Sequence, residues 1–143
     1  MSKASNSPTA ADFLNLKQRR RLAVCKAATK FLQQMTGDDS FEVHMRSLIG
    51  NEKNAFEERA IQSNNKVNMD MLKTQKAKLI QLCLCDEKGT PTFAESQVTD
   101  LLEMDAGFID STYNEISEHV GFQKGELERL VGNSEEIAAA VSS

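Results

Sequence analysis

Cys25, Cys83, Cys85, His44 and His119 are the side chains with the strongest claim on chemistry in this sequence. A structural zinc site needs several such ligands converging, usually with two to four residues between paired cysteines. Cys83 and Cys85 have one residue between them, and no histidine follows closely. On a helix, positions two apart diverge by about 200°, so those sulfurs would point away from each other. No metal and no cofactor are therefore expected. Nucleophilic catalysis needs a thiol or hydroxyl beside a base. Cys25 sits among apolar neighbours, His44 on the polar side of a strand pattern, and His119 beside the apolar face of a helix. Nothing in their spacing joins them, and buried, reduced thiols are the expectation. Asp38–Asp39, Glu57–Glu58 and Asp86–Glu87 are adjacent in sequence, which suits solvated surface better than a general acid–base dyad. The seven glycines are scattered, so no phosphate-cradling loop is present. No enzyme is predicted, and the chain is expected to work through its surfaces.

The elements that would present those surfaces follow from periodicity. Ser7-Pro8 and the pair Thr9 and Asp12 both offer helix starts, the second as a capping box. Phe13, Leu16, Leu22, Cys25, Ala28, Leu32 and Met35 predict one long basic helix, stopping at Gly37-Asp38-Asp39. Phe41, Val43 and Met45 alternate with polar residues and predict a half-buried strand, whose partner would be Thr90–Phe93 or another subunit. A helix is expected over 50–63, with Phe56 inward, then a break at Asn64-Asn65-Lys66. A second is expected over 67–84; its end, Leu79–Cys85, also reads as a strand but is assigned to the helix. Asp86 to Pro91 is a turn. Ala94–Glu103 predicts a short helix with Val98, Leu101 and Leu102 inward. Asp105 then caps a helix carried by Ala106, Ile109, Tyr113, Ile116 and Val120, with Gly121 as its stop and Phe122 folding back.

At 143 residues one compact domain is expected, 9–122, between a flexible leader (1–8) and a weakly structured acidic tail (123–143). The fold class is mainly α with minor β: a helical domain with one short strand or a small hairpin. No apolar run reaches the roughly 18–20 residues of a membrane span, and the first ten residues lack a signal-peptide core. A soluble intracellular protein is expected. The net charge of -4 hides a gradient: residues 1–30 carry +6 and residues 86–143 carry -10. Such poles favour self-association head to tail, or the basic segment lies on the acidic half of its own chain. Lys17, Arg19, Arg20 and Arg21 suit phosphate or an acidic protein surface. Without interleaved aromatics, and on an acidic chain, nucleic acid is the less favoured partner. A small helical nucleic-acid-associated or regulatory protein using this basic N-terminal helix is the alternative reading.

FEVHMRSLIGNEKNAFEERA at 41–60 and KLIQLCLCDEKGTPTFAESQV at 78–98 together resemble the tail assembly chaperones of long-tailed bacteriophages. The first element matches through Val43, Met45, Arg46, Leu48, Gly50, Glu52, Phe56 and Glu57. The second matches through Leu79, Leu82, Cys83, Leu84, Asp86, Glu87, Gly89, Phe93 and Val98, and the following helix through Leu102, Ile109 and Phe122. The likeness covers about residues 38–122. Ile49 departs from it, standing where the family often has Ser or Thr, and the N-terminal segment is more basic than the family's. The resemblance implies a chaperone, acting in the host cytoplasm, that keeps the tape measure protein soluble, helps recruit the major tail protein and is absent from the virion. It also implies a longer, frameshifted form of the same chain as partner. A helical client fits release from grooves lined by Met and Leu. Partner contacts are expected at Arg19, Arg20, Arg46, Asp86, Glu87 and Glu103.

Overall fold

The computed structural model of the chain describes residues 7–62 and 69–122, the side chains of 60–62 and 69–73 excepted. In chain order the elements are α1 (Ala10–Leu14), β1 (Leu22–Val24), α2 (Lys26–Thr36), β2 (His44–Arg46), α3 (Gly50–Gln62), α4 (Met69–Cys83), β3 (Leu84–Cys85), α5 (Val98–Leu101, preceded by a 3₁₀ turn at Glu95–Gln97) and α6 (Ala106–Val120). The fold is mainly α with a minor antiparallel sheet. The expected break at 64–66, residues 1–6 of the expected leader (1–8) and the acidic tail at 123–143 lie outside the described residues.

α6 has the predicted bounds, and Tyr113, Ile116 and Val120 of its expected inward face are buried, but Ile109 is half-buried, Ala106 is exposed and Phe108 takes the first core position. Asp105 Oδ1 accepts the Phe108 N–H at 2.9 Å, satisfying one of the helix's free donors. Gly121 closes it with φ 104°, in the left-handed region that glycine adopts without strain, and the Phe122 N–H donates to the Ser117 carbonyl at 2.9 Å. The ring of Phe122 then turns inward onto Phe56 of α3, with centroids 5.7 Å apart. α6 packs on α4 and on α2, and the core forms at that junction. Leu79, Ile80 and Cys83 of α4 and Ile116 of α6 are fully buried. Phe31 of α2 meets Phe108 of α6 at 4.5 Å between ring centroids.

The N-terminal third departs from expectation. The long helix over 13–35 is instead α1, a turn, β1 and α2. Leu16 and Leu22 are six residues apart, a step that period 3.6 cannot bridge on one face, and the charged run between them has nothing to bury. Gln18, at φ 68°, turns the chain out of the helical course. Leu22–Val24 then pairs antiparallel with β2, with Ala23 opposite Met45, and the Cys25 N–H donates to the Val43 carbonyl at 2.8 Å. The sheet order is β1-β2-β3, so the partner of the predicted strand comes from within the chain and not from a second subunit. Only part of the predicted strand is regular: residues 44–46 pair, and Phe41 stays exposed.

Leu79–Cys85 proves to be both things its sequence allowed, helix as far as Cys83 and strand at Leu84–Cys85. Thr90–Phe93 contributes an isolated bridge from Pro91 to Cys85. Leu102, expected to face inward, is 42% exposed; Leu101 fills the core position beside it. Asp12 accepts the Thr9 N–H at 2.8 Å, so the Thr9 capping box forms, although the helix behind it runs for only five residues.

One feature of the α4–α6 seam works against stability. Gln75 is buried, yet among the described residues neither atom of its amide has a hydrogen-bond partner, and the hydroxyls of Thr112 and Ser117 on α6 are buried without one there. Each such group forfeits its hydration without compensation. Gln75→Leu is therefore expected to stabilise the fold by about 1 kcal/mol or more, and Ile116→Ala to cost about 2–5 kcal/mol. Urea unfolding of the two variants beside the parent measures both signs.

Candidate interaction surface

Arg20 comes inward, although it was expected to contact a partner. Its guanidinium spans both carboxylate oxygens of Glu52, with Nη2 at 2.9 Å from Oε2, and Nη1 also donates to the Ser47 carbonyl at 3.1 Å. Glu52 lies in the first turn of α3, where its Oε1 accepts the Ile49 N–H at 3.0 Å. Ile49 cannot supply a capping side chain, but the carboxylate three residues on still satisfies the backbone there. The hydrogen bond from Arg20 holds the Glu52 carboxyl below its ordinary value of 4.5; the Ile49 N–H and the nearby charge of Arg46 add to this against desolvation.

Arg46 is also used within the chain: its Nε donates to the Leu82 carbonyl at 2.8 Å, tying β2 to the end of α4. Arg21 donates to the His119 carbonyl at 2.8 Å, and the His119 ring nitrogen lies 2.9 Å from the Arg21 carbonyl. The Arg21 N–H meets Ser47 Oγ at 2.8 Å. Two of the four basic side chains in the run 17–21 are thus committed to the fold, and Lys17 and Arg19 remain exposed. Asp86 is solvent-facing but serves its own turn, accepting the N–H groups of Lys88 at 2.8 Å and Thr90 at 2.9 Å, which depresses its pKa. Glu87 and Glu103 are exposed. Of the six residues expected at a partner surface, Arg20 and Arg46 are engaged within the chain, Asp86 serves its own turn, and Arg19, Glu87 and Glu103 are exposed.

Glu115 was not singled out by its spacing, yet it joins two helices. Its carboxylate accepts the Lys26 N–H at 2.9 Å and the Ala27 N–H at 2.8 Å, so an acid on α6 caps the N-terminus of α2. Here the basic segment does lie on the acidic half of the chain. Cys25 Sγ sits 3.7 Å from the same carboxylate. Burial pushes the thiols of Cys25 and Cys83 up to about 12 and raises that of Cys85 as well. All three are free and buried, and the described residues hold no cluster of three or more metal-ligating side chains.

Described residues line two surface clefts of note. One, of about 250 Å³, lies between α3, α4 and the 3₁₀ turn before α5; Ala55, Phe56 and Leu82 give it apolar lining, and Glu52, Arg59, Lys78 and Glu95 give it charged lining. Lys78 and Glu95 pair across it at 3.3 Å. The other lies between α2 and the start of α6, lined by Phe31, Phe108, Lys30 and Asp105 among others. No described helix is long and apolar enough to cross a membrane. Comparison with protein-family models, with curated proteins and with solved structures finds no match.

Glu52 has a signed pH consequence. A carboxyl depressed by folding stabilises fully above its ordinary pKa and loses that contribution as pH falls through the depressed value. Glu52→Gln is expected to cost about 1–3 kcal/mol at neutral pH and to narrow its gap to the parent at low pH; thermal melts across pH 2–7 read both. The thiols are expected to resist alkylation while the chain is folded and to react fully in denaturant, as counted by mass spectrometry.

Proposed function

We propose that this protein is a tail assembly chaperone of a long-tailed bacteriophage. It binds a helical stretch of the tape measure protein in the host cytoplasm, assists recruitment of the major tail protein, and leaves before the virion is complete. It performs no catalysis. The reading rests first on the likeness over residues 38–122, which carries both elements in order and at the family's spacing. The observation that carries it furthest is the cleft between α3 and α4. An apolar floor under a rim of both charge signs suits the apolar side chains of an amphipathic helix, with polar neighbours meeting Arg59, Lys78 and Glu95. Glu95 is 82% exposed and reaches over a largely covered Lys78, so the carboxylate can swing away to admit a client while Lys78 stays at the cleft. The floor is mostly aliphatic and shallow, which favours release over permanent capture.

Co-expression with the tape measure protein of the same genome, followed by affinity capture of either chain, is expected to recover both. Ala55→Trp fills the cleft from an exposed position on α3. It is expected to weaken capture about tenfold, a loss of about 1.4 kcal/mol, while the melting temperature holds. No co-purification, or capture unaffected by the filled cleft, would overturn the assignment of client and site respectively.

A further inference from the structure

β1 is the open edge of the sheet. The order β1-β2-β3 puts β2 in the middle, and the edge beyond β3 is taken by the bridge from Pro91 to Cys85. Beyond β1 no described strand follows. The bonds to β2 fall on alternate residues. The Arg21 carbonyl accepts the Ser47 N–H at 3.0 Å, Ala23 stands opposite Met45, and the Cys25 N–H donates to the Val43 carbonyl at 2.8 Å. In an antiparallel pair the residues between such bonded positions aim their N–H and C=O groups the other way. Those residues are Leu22 and Val24. Among the described residues no backbone group pairs with either from that side.

The side chains at this edge are of two kinds. Leu22 and Val24 stand on one face of the sheet and are 43 and 36% exposed, while Ala23 turns to the other face with buried Met45. Around them the exposed charge has one sign. Arg19 and Arg21 precede the strand and Lys26 follows it, all three exposed; Arg21 keeps one guanidinium nitrogen on the His119 carbonyl. The neighbouring acids are already engaged. Glu52 holds Arg20, Glu115 accepts the N–H groups of Lys26 and Ala27, and Glu42 meets His44, opposite Val24, at 3.3 Å. An exposed apolar strand edge is a template for another chain, which proteins usually blunt. Here the basic flanks blunt it against a second copy, because two such edges side by side bring like charges together. The same flanks select a strand of the opposite sign.

We infer that β1 accepts an extended segment of a partner protein as an added strand, apolar at alternate positions and acidic at both ends. The outward N–H and C=O groups of Leu22 and Val24 supply the ladder. Their side chains meet the partner's apolar positions on the same face, and Arg19, Arg21 and Lys26 meet its acids. Two pairing residues make a short ladder, so the contact is weak and sensitive to salt. The inference goes beyond the proposed client, which is helical, and does not use the α3–α4 cleft.

The probe is a synthetic peptide, DEVTVTVED, carrying fluorescein and titrated with the full chain at low ionic strength by fluorescence anisotropy. It is expected to bind and to weaken about tenfold or more in high salt, while KKVTVTVKK does not bind. N-methylation of the valines and N-methylation of the threonines are expected to differ: one set abolishes binding and the other leaves it, because only one set faces β1. Leu22→Pro removes an outward N–H at a place where a strand tolerates proline, and is expected to weaken binding about tenfold. Arg19→Gln with Lys26→Gln is expected to do the same. No binding, equal binding of the basic peptide, or equal effects of the two N-methylations overturns the inference. So does a peptide displaced by Ala55→Trp and indifferent to Leu22→Pro, which would place it in the α3–α4 cleft. A wild-type dimer that Leu22→Pro dissociates overturns it too, since the edge then belongs to a second copy. The N-methylated peptides leave the protein unaltered, so they decide the matter whether or not the proline variant folds.

Discussion

A single carboxylate at the head of α3 decides where the N-terminal third of this protein goes. Glu52 receives both arms of the Arg20 guanidinium and the Ile49 N–H, and the same guanidinium reaches the Ser47 carbonyl. Two ionised groups drawn partly out of water lose hydration, and a bidentate, charge-assisted fork is the geometry that best offsets it. Once Arg20 is held there, Arg21 is delivered to Ser47 and His119, and Leu22–Val24 falls beside β2. The sheet acquires its edge strand, and α2 starts where Glu115 can cap it. What precedes Arg20 is left outside.

That constraint explains which parts of the fold were legible in the amino acids and which were not. α6 was legible from cap to stop because its signals are local: an N-cap Asp, apolar steps of three and four, and a glycine followed by Phe122. Phe56 on α3 and Met45 on β2 were legible for the same reason. The expected helix over 13–35 failed because a distant acid decides it. Glu52 lies 32 residues from Arg20 in sequence, and no periodicity in either segment records the pairing. The run 17–21 was read as one basic surface, whereas its four cations divide evenly between fold and solvent. The internal bond of Arg46 was equally illegible, since a carbonyl at the end of α4 is a partner that residue types do not announce.

The thiols show a different limit. Their apolar neighbours pointed to burial, and burial is what they have, with pKa values driven upward by desolvation. For Cys83 and Cys85 the helix-to-strand change falls between them, so the divergence expected of a continuous helix is not the geometry that separates them. The Gln75 amide, unpartnered among the described residues, had no signature in sequence, because its position in α4 only becomes costly once the neighbouring elements bury it.

The charge gradient along the chain is only partly cancelled by folding, and what survives is informative. Arg20 meets Glu52, Arg21 meets the end of α6, Lys76 meets Asp110 and Lys78 meets Glu95. These pairings remove charge from the middle of the molecule, where the segments of opposite sign pack. Lys17 and Arg19 escape because the clasp at residues 20–21 holds the chain just after them. Asp100 and Glu103 escape because no basic residue lies near them in sequence and the α5–α6 connection turns them to solvent. Exposed charge of each sign thus survives at Lys17 and Arg19 and at Asp100 and Glu103, in each case next in sequence to apolar side chains that stay exposed. Uncovered apolar surface is disfavoured in water and unpaired like charges disfavour each other, so both costs fall together only when the surface of opposite sign is brought up.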